Sequence, residues 1–371
     1  VSALEVRRDD AAATRWVADA PVELADGQAR FAIDHVGLSA NNVSFAITGD
    51  MLGYWKLFPT GDPAWGRVPT FGFADVVASR HPEVAVGRRV FGYLPMAQHL
   101  VVAPAKVDAR GLLDGSAHRR DVMATVWNHY QWVPTGTDRV GEAMRSLLRP
   151  LFVTAFLIDD VVADQDRFGA DTVILTSASA RTAVATADAM RRRGDLRVVG
   201  LTSAGRVGFV SGLGAYDEVL AYEQAGDVPG GDAVLVDIAG LVGVRDAVHA
   251  RFGDRLRHSM TVGISNVPDP ARLAAPPPPI GPAPELFFAQ LQVAKRAHDW
   301  GQDELDRRID EAWERFVAFA GTWLRIEEQV GPEAIEGAWL DLVAGRVDPA
   351  VGVALAIGGG AGVDHRPGSP G

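Results

Sequence analysis

The sequence predicts an α/β protein built from a β-rich part and a doubly wound parallel sheet. Three observations carry that reading. The chain has 371 residues, more than one hydrophobic core usually fills, so two domains, or one inserted into the other, are expected. Its first third is a run of short strands and turns, and its middle alternates strand with helix, the pattern of a parallel sheet covered on its faces.

Residues 1 to about 125 supply the strands. "ARFAIDHVGLSA" (Ala29 to Ala40) alternates apolar and polar positions before an Asn-Asn pair, as a half-buried strand ending in a turn does. "FGFADVVAS", "GRRVFGYLP" and "AQHLVVAP" are short, β-branched or aromatic, and bounded by Gly or Pro. From about Asp121 the pattern turns helical, and "GEAMRSLLRPLFVTAFLIDDVV" has apolar residues at helical spacing, with Pro150 marking a break or kink. "TVILTS", "RTAVATADAMRRR", "LRVVGLT", "AVLVDIAG", "VGVRDAVHARF" and "HSMTVGIS" then alternate strand and helix. The proline-rich stretch Pro268 to Pro284 reads as a surface loop or lid. After it, Phe, Leu, Ile and Trp recur at intervals of three and four in long amphipathic helices. The final "GGGAGVDHRPGSPG" has little to bury and reads as disordered.

Composition narrows the chemistry. A formal net charge of -11, from 36 basic and 47 acidic residues, argues against a nucleic-acid backbone as partner, which needs a basic face. With no cysteine, thiolate catalysis, disulfides and sulfur-ligated zinc are excluded. The nine histidines show no His-Glu-x-x-His spacing, so no metal is expected. "VSALEVRRDD" is too polar for a secretory signal. No apolar run reaches the roughly 18 to 20 residues of a membrane span. A cytoplasmic protein without membrane contact is the expectation.

The turn after the first strand of the alternating region is the candidate cofactor site. In a doubly wound fold this turn offers backbone N–H groups and a helix N-terminus to a pyrophosphate, usually with glycines for close approach. Here it reads Ser177-Ala178-Ser179-Ala180-Arg181-Thr182, without glycine. Ser177, Ser179 and Thr182 offer hydroxyls to phosphate oxygens, and Arg181 offers a guanidinium. The other reading is that Ser177 and Ser179 cap the helix, whose closing arginines complement its dipole before Gly194 stops it. The second strand ends in Thr202, Ser203 and Arg206, with no acidic residue to hold a ribose diol. A hydroxyl and an arginine there suit a 2′-phosphate, hence NADP(H); a solvated turn is the alternative.

In this order the segments resemble the medium-chain dehydrogenase/reductase superfamily, in its zinc-free quinone oxidoreductase and enoyl reductase branch, and most closely the DUF2855 family. "ARFAIDHVGLSANNVSFAITGDMLGYWKLFP" is similar to the branch's opening strand and the segment that leads to a Gly-Tyr. "GRRVFGYLPMAQHLVVAP" resembles its glycine-containing strand pair, "VTAF" (Val153 to Phe156) the start of its cofactor domain, "SGLGAYDEVLAYEQ" its "lGAdevidY" segment, and "AVLVDIAG" the strand under the nicotinamide. "LFFAQLQVAKRAHDWG" and "GRVDPAVGVAL" complete the match.

The resemblance implies a GroES-like β-rich catalytic domain at 1–130 and 290–357, with C-terminal helices, an inserted Rossmann-like domain at 131–289, and a disordered tail at 358–371. It implies an active site in the cleft between the domains and a homodimer. It implies an NADPH-dependent, metal-independent reductase of an activated C=C bond, in an enone or enoyl group, or of a quinone, acting on a small molecule. A non-redox lyase, isomerase or carbon-carbon bond-cleaving enzyme, or a catalytically inactive nucleotide-binding protein, remains open on the same fold. Asp237, Ala239 and Gly240 would form the ribose and nicotinamide wall. Tyr54 in "MLGYWK" matches the branch's proton donor, and Lys56 would stabilise an enolate or lower the tyrosine pKa if it points inward. Trp55, Asn128, His129 and Tyr130 would line the substrate pocket, with packing at a domain junction as the other role for "WNHYQW".

Overall fold

A computed structural model describes residues 2–18, 23–119, 125–136, 138–262, 280–357 and 364–365. The chain divides into two compact units, Val1–Leu147 with Leu324–Gly371, and Leu148–Trp323. The second is thus inserted in the first in chain order.

The first unit opens with β1 (Ser2–Arg7), β2 (Thr14–Ala18) and β3 (Ala29–Leu38). Alternate residues at the start of β3 are buried, as the period-two pattern requires. Two helices follow it, α1 (Ala40–Ile47) and α2 (Gly49–Leu52). The expected Asn-Asn turn is therefore the first turn of α1. Asn42 explains the difference: its side chain accepts from the Ser39 N–H at 2.7 Å and donates to the Pro69 carbonyl at 2.8 Å, so it ends the strand by starting a helix. Strands β4 (Trp65–Gly66), β5 (Pro69–Ser79), β6 (Arg89–Pro95), β7 (His99–Val102), β8 (Pro104–Val107), β9 (Gly111–Asp114) and β10 (His129–Val133) complete the N-terminal part.

Helix α3 (Arg139–Asp164) runs through Pro150 without a break. Apolar side chains on both sides of the proline, Leu147, Leu148, Phe152 and Ala155, are buried. Their burial offsets the backbone hydrogen bond that a proline forfeits. The helical pattern expected from Asp121 begins later than that, because residues 129–133 pair with β6 and β9.

The second unit contains β11 (Thr172–Thr176), α4 (Arg181–Arg193), β12 (Arg197–Thr202), α5 (Val207–Gly212), β13 (Glu218–Ala221), β14 (Ala233–Asp237), α6 (Val242–Phe252), β15 (Leu256–Thr261), β16 (Glu285–Leu286), α7 (Ala289–Trp300) and α8 (Gln302–Ala320). Its six strands pair in the order β13-β12-β11-β14-β15-β16, all parallel. The order reverses between β11 and β14, the crevice where doubly wound sheets hold ligands beyond the carboxyl ends of their strands. β11 and β14 are buried throughout, as strands covered on both faces are.

The chain then returns to the first unit with β17 (Arg325–Val330), α9 (Pro332–Val343), β18 (Val351–Ala356) and β19 (Asp364–His365). In the first unit's large sheet the order is β19-β17-β18-β3-β5-β6-β10-β9-β8, with β7 paired to β3.

These boundaries correct the expected ones in two places. Residues 131–147 belong with the β-rich unit, because Arg139 and Glu142 are tied to Asp34 and Arg89 there. The helices at 290–323 belong with the parallel-sheet unit: Phe316 stacks on Phe152 at 5.3 Å between ring centres, and Arg296 donates to Asp160 at 2.6 Å. Of the tail at 358–371, Asp364 and His365 pair with Glu327 and Ile326; its other residues, and the proline-rich segment up to residue 279, lie outside the described residues. Among the described residues no helix is long and apolar enough to cross a membrane.

Candidate functional site

In the parallel-sheet unit, β11 leads directly into the glycine-free turn. Ser177 takes the left-handed conformation, φ +53°, which glycine would adopt at lower cost. Ala178 is then pinned from two sides: its N–H donates to the Leu201 carbonyl at 3.0 Å, and its carbonyl accepts from the Tyr216 hydroxyl at 2.9 Å. The close approach that a glycine usually allows inside this turn is provided by the neighbouring strand. A Cβ on Gly200 of β12 would stand 2.9 Å from the Ala178 Cβ and 2.8 Å from the Tyr216 ring.

Neither serine caps α4. The N-cap residue is Ala180, which has no side-chain acceptor, and no side-chain bond closes the helix start. The capping alternative is overturned, and the N-terminal amides of a 13-residue helix keep their anion-binding capacity. Arg181, the first helical residue, is partly buried, and burial pushes its guanidinium pKa down to about 10. Ser179 lies 3.5 Å from the Thr202 hydroxyl, so the turn and the end of β12 adjoin. Ser203 and Arg206 share one tight turn there, the Arg206 N–H donating to the Ser203 carbonyl at 2.8 Å. Ser203 is exposed, and Arg206 and Thr182 are partly buried.

At the end of β14, Asp237 is buried and committed to the protein. The Thr176 hydroxyl donates to its Oδ1 at 2.6 Å, and the Gly240 N–H does so at 3.1 Å. The same hydroxyl accepts from the Ile238 and Ala239 amides at 2.8 and 2.9 Å. Burial raises the Asp237 pKa, and the Thr176 bond opposes that rise. Asp237 thus shapes the wall by holding Ala239 and Gly240 in place. Thr176 and Tyr222 were missed by sequence reasoning. Tyr222 is half-buried, and its pKa is raised by burial and lowered by hydrogen bonding to Ser177. Its only sequence signal was its place in the "DEVLAYEQ" segment.

In the β-rich unit, Tyr54 is buried against Phe45 and Trp127, with ring centres 4.3 and 4.8 Å away. Burial pushes its pKa up to about 12, so the phenol is a proton donor at neutral pH. Lys56 is exposed, so the inward orientation that its expected role required is not met; a charged ammonium stays in water when no buried partner repays desolvation. Trp55 is a packing residue, correcting its pocket role. Its ring is wedged between Gly49 and Gly66, where an added Cβ would approach to 2.2 Å in each case. Tyr130 is likewise core: fully buried, it donates to the Tyr93 carbonyl at 2.8 Å and meets Phe31 edge to face at 5.3 Å. Asn128 is buried and donates to the Arg119 carbonyl at 3.3 Å. His129 is half-buried, and burial lowers its pKa, keeping it neutral.

Asp34, His35 and Glu142 lie close enough together to suggest a cation site, but two arginines occupy their oxygens. Arg89 donates to Asp34 at 2.7 Å and to both Glu142 oxygens at 2.6 and 2.8 Å, and Arg139 donates to Asp34 at 2.5 Å. This is a buried ion-pair network. Burial works against the Asp34 charge, and the bonds from His35, Arg89 and Arg139 more than offset it, holding its pKa well below the usual carboxylate range.

A β-rich unit interrupted by a parallel six-stranded unit, with a tight turn leading from β11 into α4, defines the medium-chain dehydrogenase/reductase fold. The solved structures similar to this chain have that fold. CurA from Vibrio vulnificus in complex with NADPH superposes with a TM-score of 0.62 at 14% identity, covering 96% of this chain and 99% of that one. YhdH of E. coli K-12 with bound NADPH gives 0.55 at 14% identity over 96% and 99%. A mycobacterial protein complexed with NADPH gives 0.56 at 17% identity over 96% and 99%. Residues 36–348 match the family described as "Protein of unknown function (DUF2855)", and the chain belongs to that family. No curated protein matches the sequence.

Proposed function

We propose that this chain is an NADPH-dependent, metal-independent reductase of an activated C=C bond, in an enone or enoyl group, or of a quinone. The observation that carries the reading is the start of α4: a helix N-terminus with no side-chain cap, a desolvated Arg181 beside it, and the Ser203–Arg206 turn at the end of the adjoining strand. The NADPH bound by similarly folded proteins supports it.

In this reading the α4 amides, Ser179, Arg181 and Thr182 hold the pyrophosphate. Ser203 and Arg206 take the 2′-phosphate, a group that an acidic residue at the end of β12 would repel. Ala239 and Gly240, fixed by Asp237 and Thr176, present backbone to the ribose and nicotinamide. When bound, NADPH supplies a hydride to the β-carbon of the substrate. The Tyr54 Oη–H hydrogen-bonds the substrate carbonyl, strengthens that bond as negative charge gathers on oxygen, and gives up its proton to the enolate oxygen; the enol then ketonises, its hydroxyl proton lost as the α-carbon takes one from water, which completes the net addition of H₂ across C=C. Its raised pKa keeps the phenol protonated until then.

The test is calorimetric titration with NADPH and NADH of wild type, Arg206→Ala and Arg181→Ala. NADPH should bind selectively, Arg206→Ala should erase the selectivity, and Arg181→Ala should weaken both nucleotides by about tenfold or more, a charge-assisted bond being worth ~1.5–3 kcal/mol. Absence of binding by either nucleotide would refute the reading.

A further inference from the structure

The turn between β11 and α4 is held by side chains from the segment that joins β12 to β13 and from the end of β13. Tyr222 hydrogen-bonds to Ser177, and the Tyr216 hydroxyl donates to the Ala178 carbonyl at 2.9 Å. The second bond sets the direction of a peptide group that the nucleotide would meet. A trans peptide is planar, with its C=O and N–H pointing in opposite directions. The Ala178 carbonyl points at Tyr216, so the Ser179 N–H of the same peptide points away from it.

The amides on either side are committed to the protein. The Ala178 N–H donates to the Leu201 carbonyl at 3.0 Å and the Ala180 N–H to the Ser177 carbonyl at 2.7 Å. The Ser179 N–H has no acceptor among the described residues, and Ser179 is only half-buried, so it stands next to the uncapped start of α4 as a further donor.

Tyr216 is itself fixed. It is buried, and a Cβ on Gly200 would come within 2.8 Å of its ring. The next residue, Asp217, is bound twice to β12: its N–H donates to the Val198 carbonyl at 2.8 Å, and its Oδ2 accepts from the Val198 N–H at 2.8 Å. Its Oδ1 pairs with Arg191 of α4. Burial raises the Tyr216 pKa, so the phenol stays a donor. Without that hydroxyl the Ala178 carbonyl would be left unpaired beside the core, and turning it outward to water would relieve the cost. That rotation would put an oxygen where the N–H had been.

We propose that Tyr216 is a positioning residue for the nucleotide: its hydroxyl locks the Ala178–Ser179 peptide so that the Ser179 N–H donates to the pyrophosphate alongside the α4 amides. The proposal rests on the reductase reading for the identity of the ligand.

The test is calorimetric titration of the full chain, wild type and Tyr216→Phe, with three ligands: NADPH, 2′-phospho-ADP-ribose, which keeps the pyrophosphate, and adenosine 2′-monophosphate, which lacks it. Tyr216→Phe should weaken the first two alike, by about tenfold or more, the loss of one hydrogen bond to a charged group. Adenosine 2′-monophosphate should bind as in wild type, because its phosphate belongs to Ser203 and Arg206. A purely structural role would leave fewer chains able to bind at unchanged affinity, or weaken all three ligands equally, and either result would overturn the proposal. Hydrogen exchange of wild type gives a check that needs no variant: the Ser179 amide should exchange more slowly once NADPH is bound, and an unchanged rate in the complex would also overturn it. If NADPH binds wild type and Tyr216→Phe equally, the reductase reading stands and this proposal alone falls. If wild type binds neither NADPH nor 2′-phospho-ADP-ribose, both fall.

Discussion

Replacing Thr176 with valine keeps the volume of a fully buried side chain and removes one hydroxyl that makes three bonds. The Ala239 amide loses its acceptor, the Ile238 amide loses this one, and Asp237 keeps the Gly240 N–H but loses its shortest donor. At about 1–3 kcal/mol for each buried polar group left unpaired, and with the losses overlapping, the cost should be about 2–5 kcal/mol. The deficit should also depend on pH. Asp237 already has a raised folded pKa, so its buried charge costs stability above that pKa and the cost vanishes as it protonates. Loss of the Thr176 donor raises the pKa further. The variant's deficit should therefore be larger at pH 8 than at pH 4.5. Thermal melts at both pH values, with hydrogen exchange at Ala239, would measure it, and Thr176→Ser should restore the wild-type values. A deficit below about 0.5 kcal/mol, well under the cost of one buried unpaired group, or one that grows toward acid, would refute the reasoning.

Further predictions concern other buried groups. Gly200→Val should destabilise the parallel-sheet unit by about 1–3 kcal/mol through overpacking against Ala178 and Tyr216, and should weaken NADPH in the same titration; wild-type affinity would show that β12 does not set the turn. Asp114→Ala should strand Arg119, whose guanidinium is fully buried 3.1 Å from Asp114. The expected loss is about 3–5 kcal/mol, recovered in part by adding Arg119→Met, and denaturant titration of the two variants would check both. The depressed pKa of Asp34 contributes stability above the ordinary carboxylate value near 3.9, and that stability is lost as pH falls below it. Asp34→Asn should therefore lower the melting temperature at pH 7 and flatten its fall between pH 4 and 2; an unchanged acid profile would count against the network.

Much of the fold was legible because it depends on local periodicity. The alternation in β3, the apolar run "TVILT" and the helix ending at Gly194 all carry their own signals. Local signals failed where a distant partner decided the outcome. Asn42 starts a helix because the Pro69 carbonyl receives its amide. Pro150 sits inside a helix because buried side chains on both sides outweigh it. Helices α7 and α8 fall in the parallel-sheet unit and α9 in the β-rich one, a division the sequence could not give because amphipathicity says that a helix has a buried face without saying what covers it.

The candidate site divides in the same way. The residue types at Ser177 to Thr182, the pair Ser203 and Arg206, and the place of Tyr54 were readable from order and spacing alone. Whether those types were free for chemistry was not. Trp55 and Tyr130 look like pocket residues in the sequence, yet Gly49, Gly66 and the Tyr93 carbonyl claim them for the core. The sequence by itself determined which functional groups the chain possesses and the elements that carry them. Only the tertiary structure decided which of those groups the protein spends on itself, because a hydrogen bond or packing contact depends on residues far away along the chain.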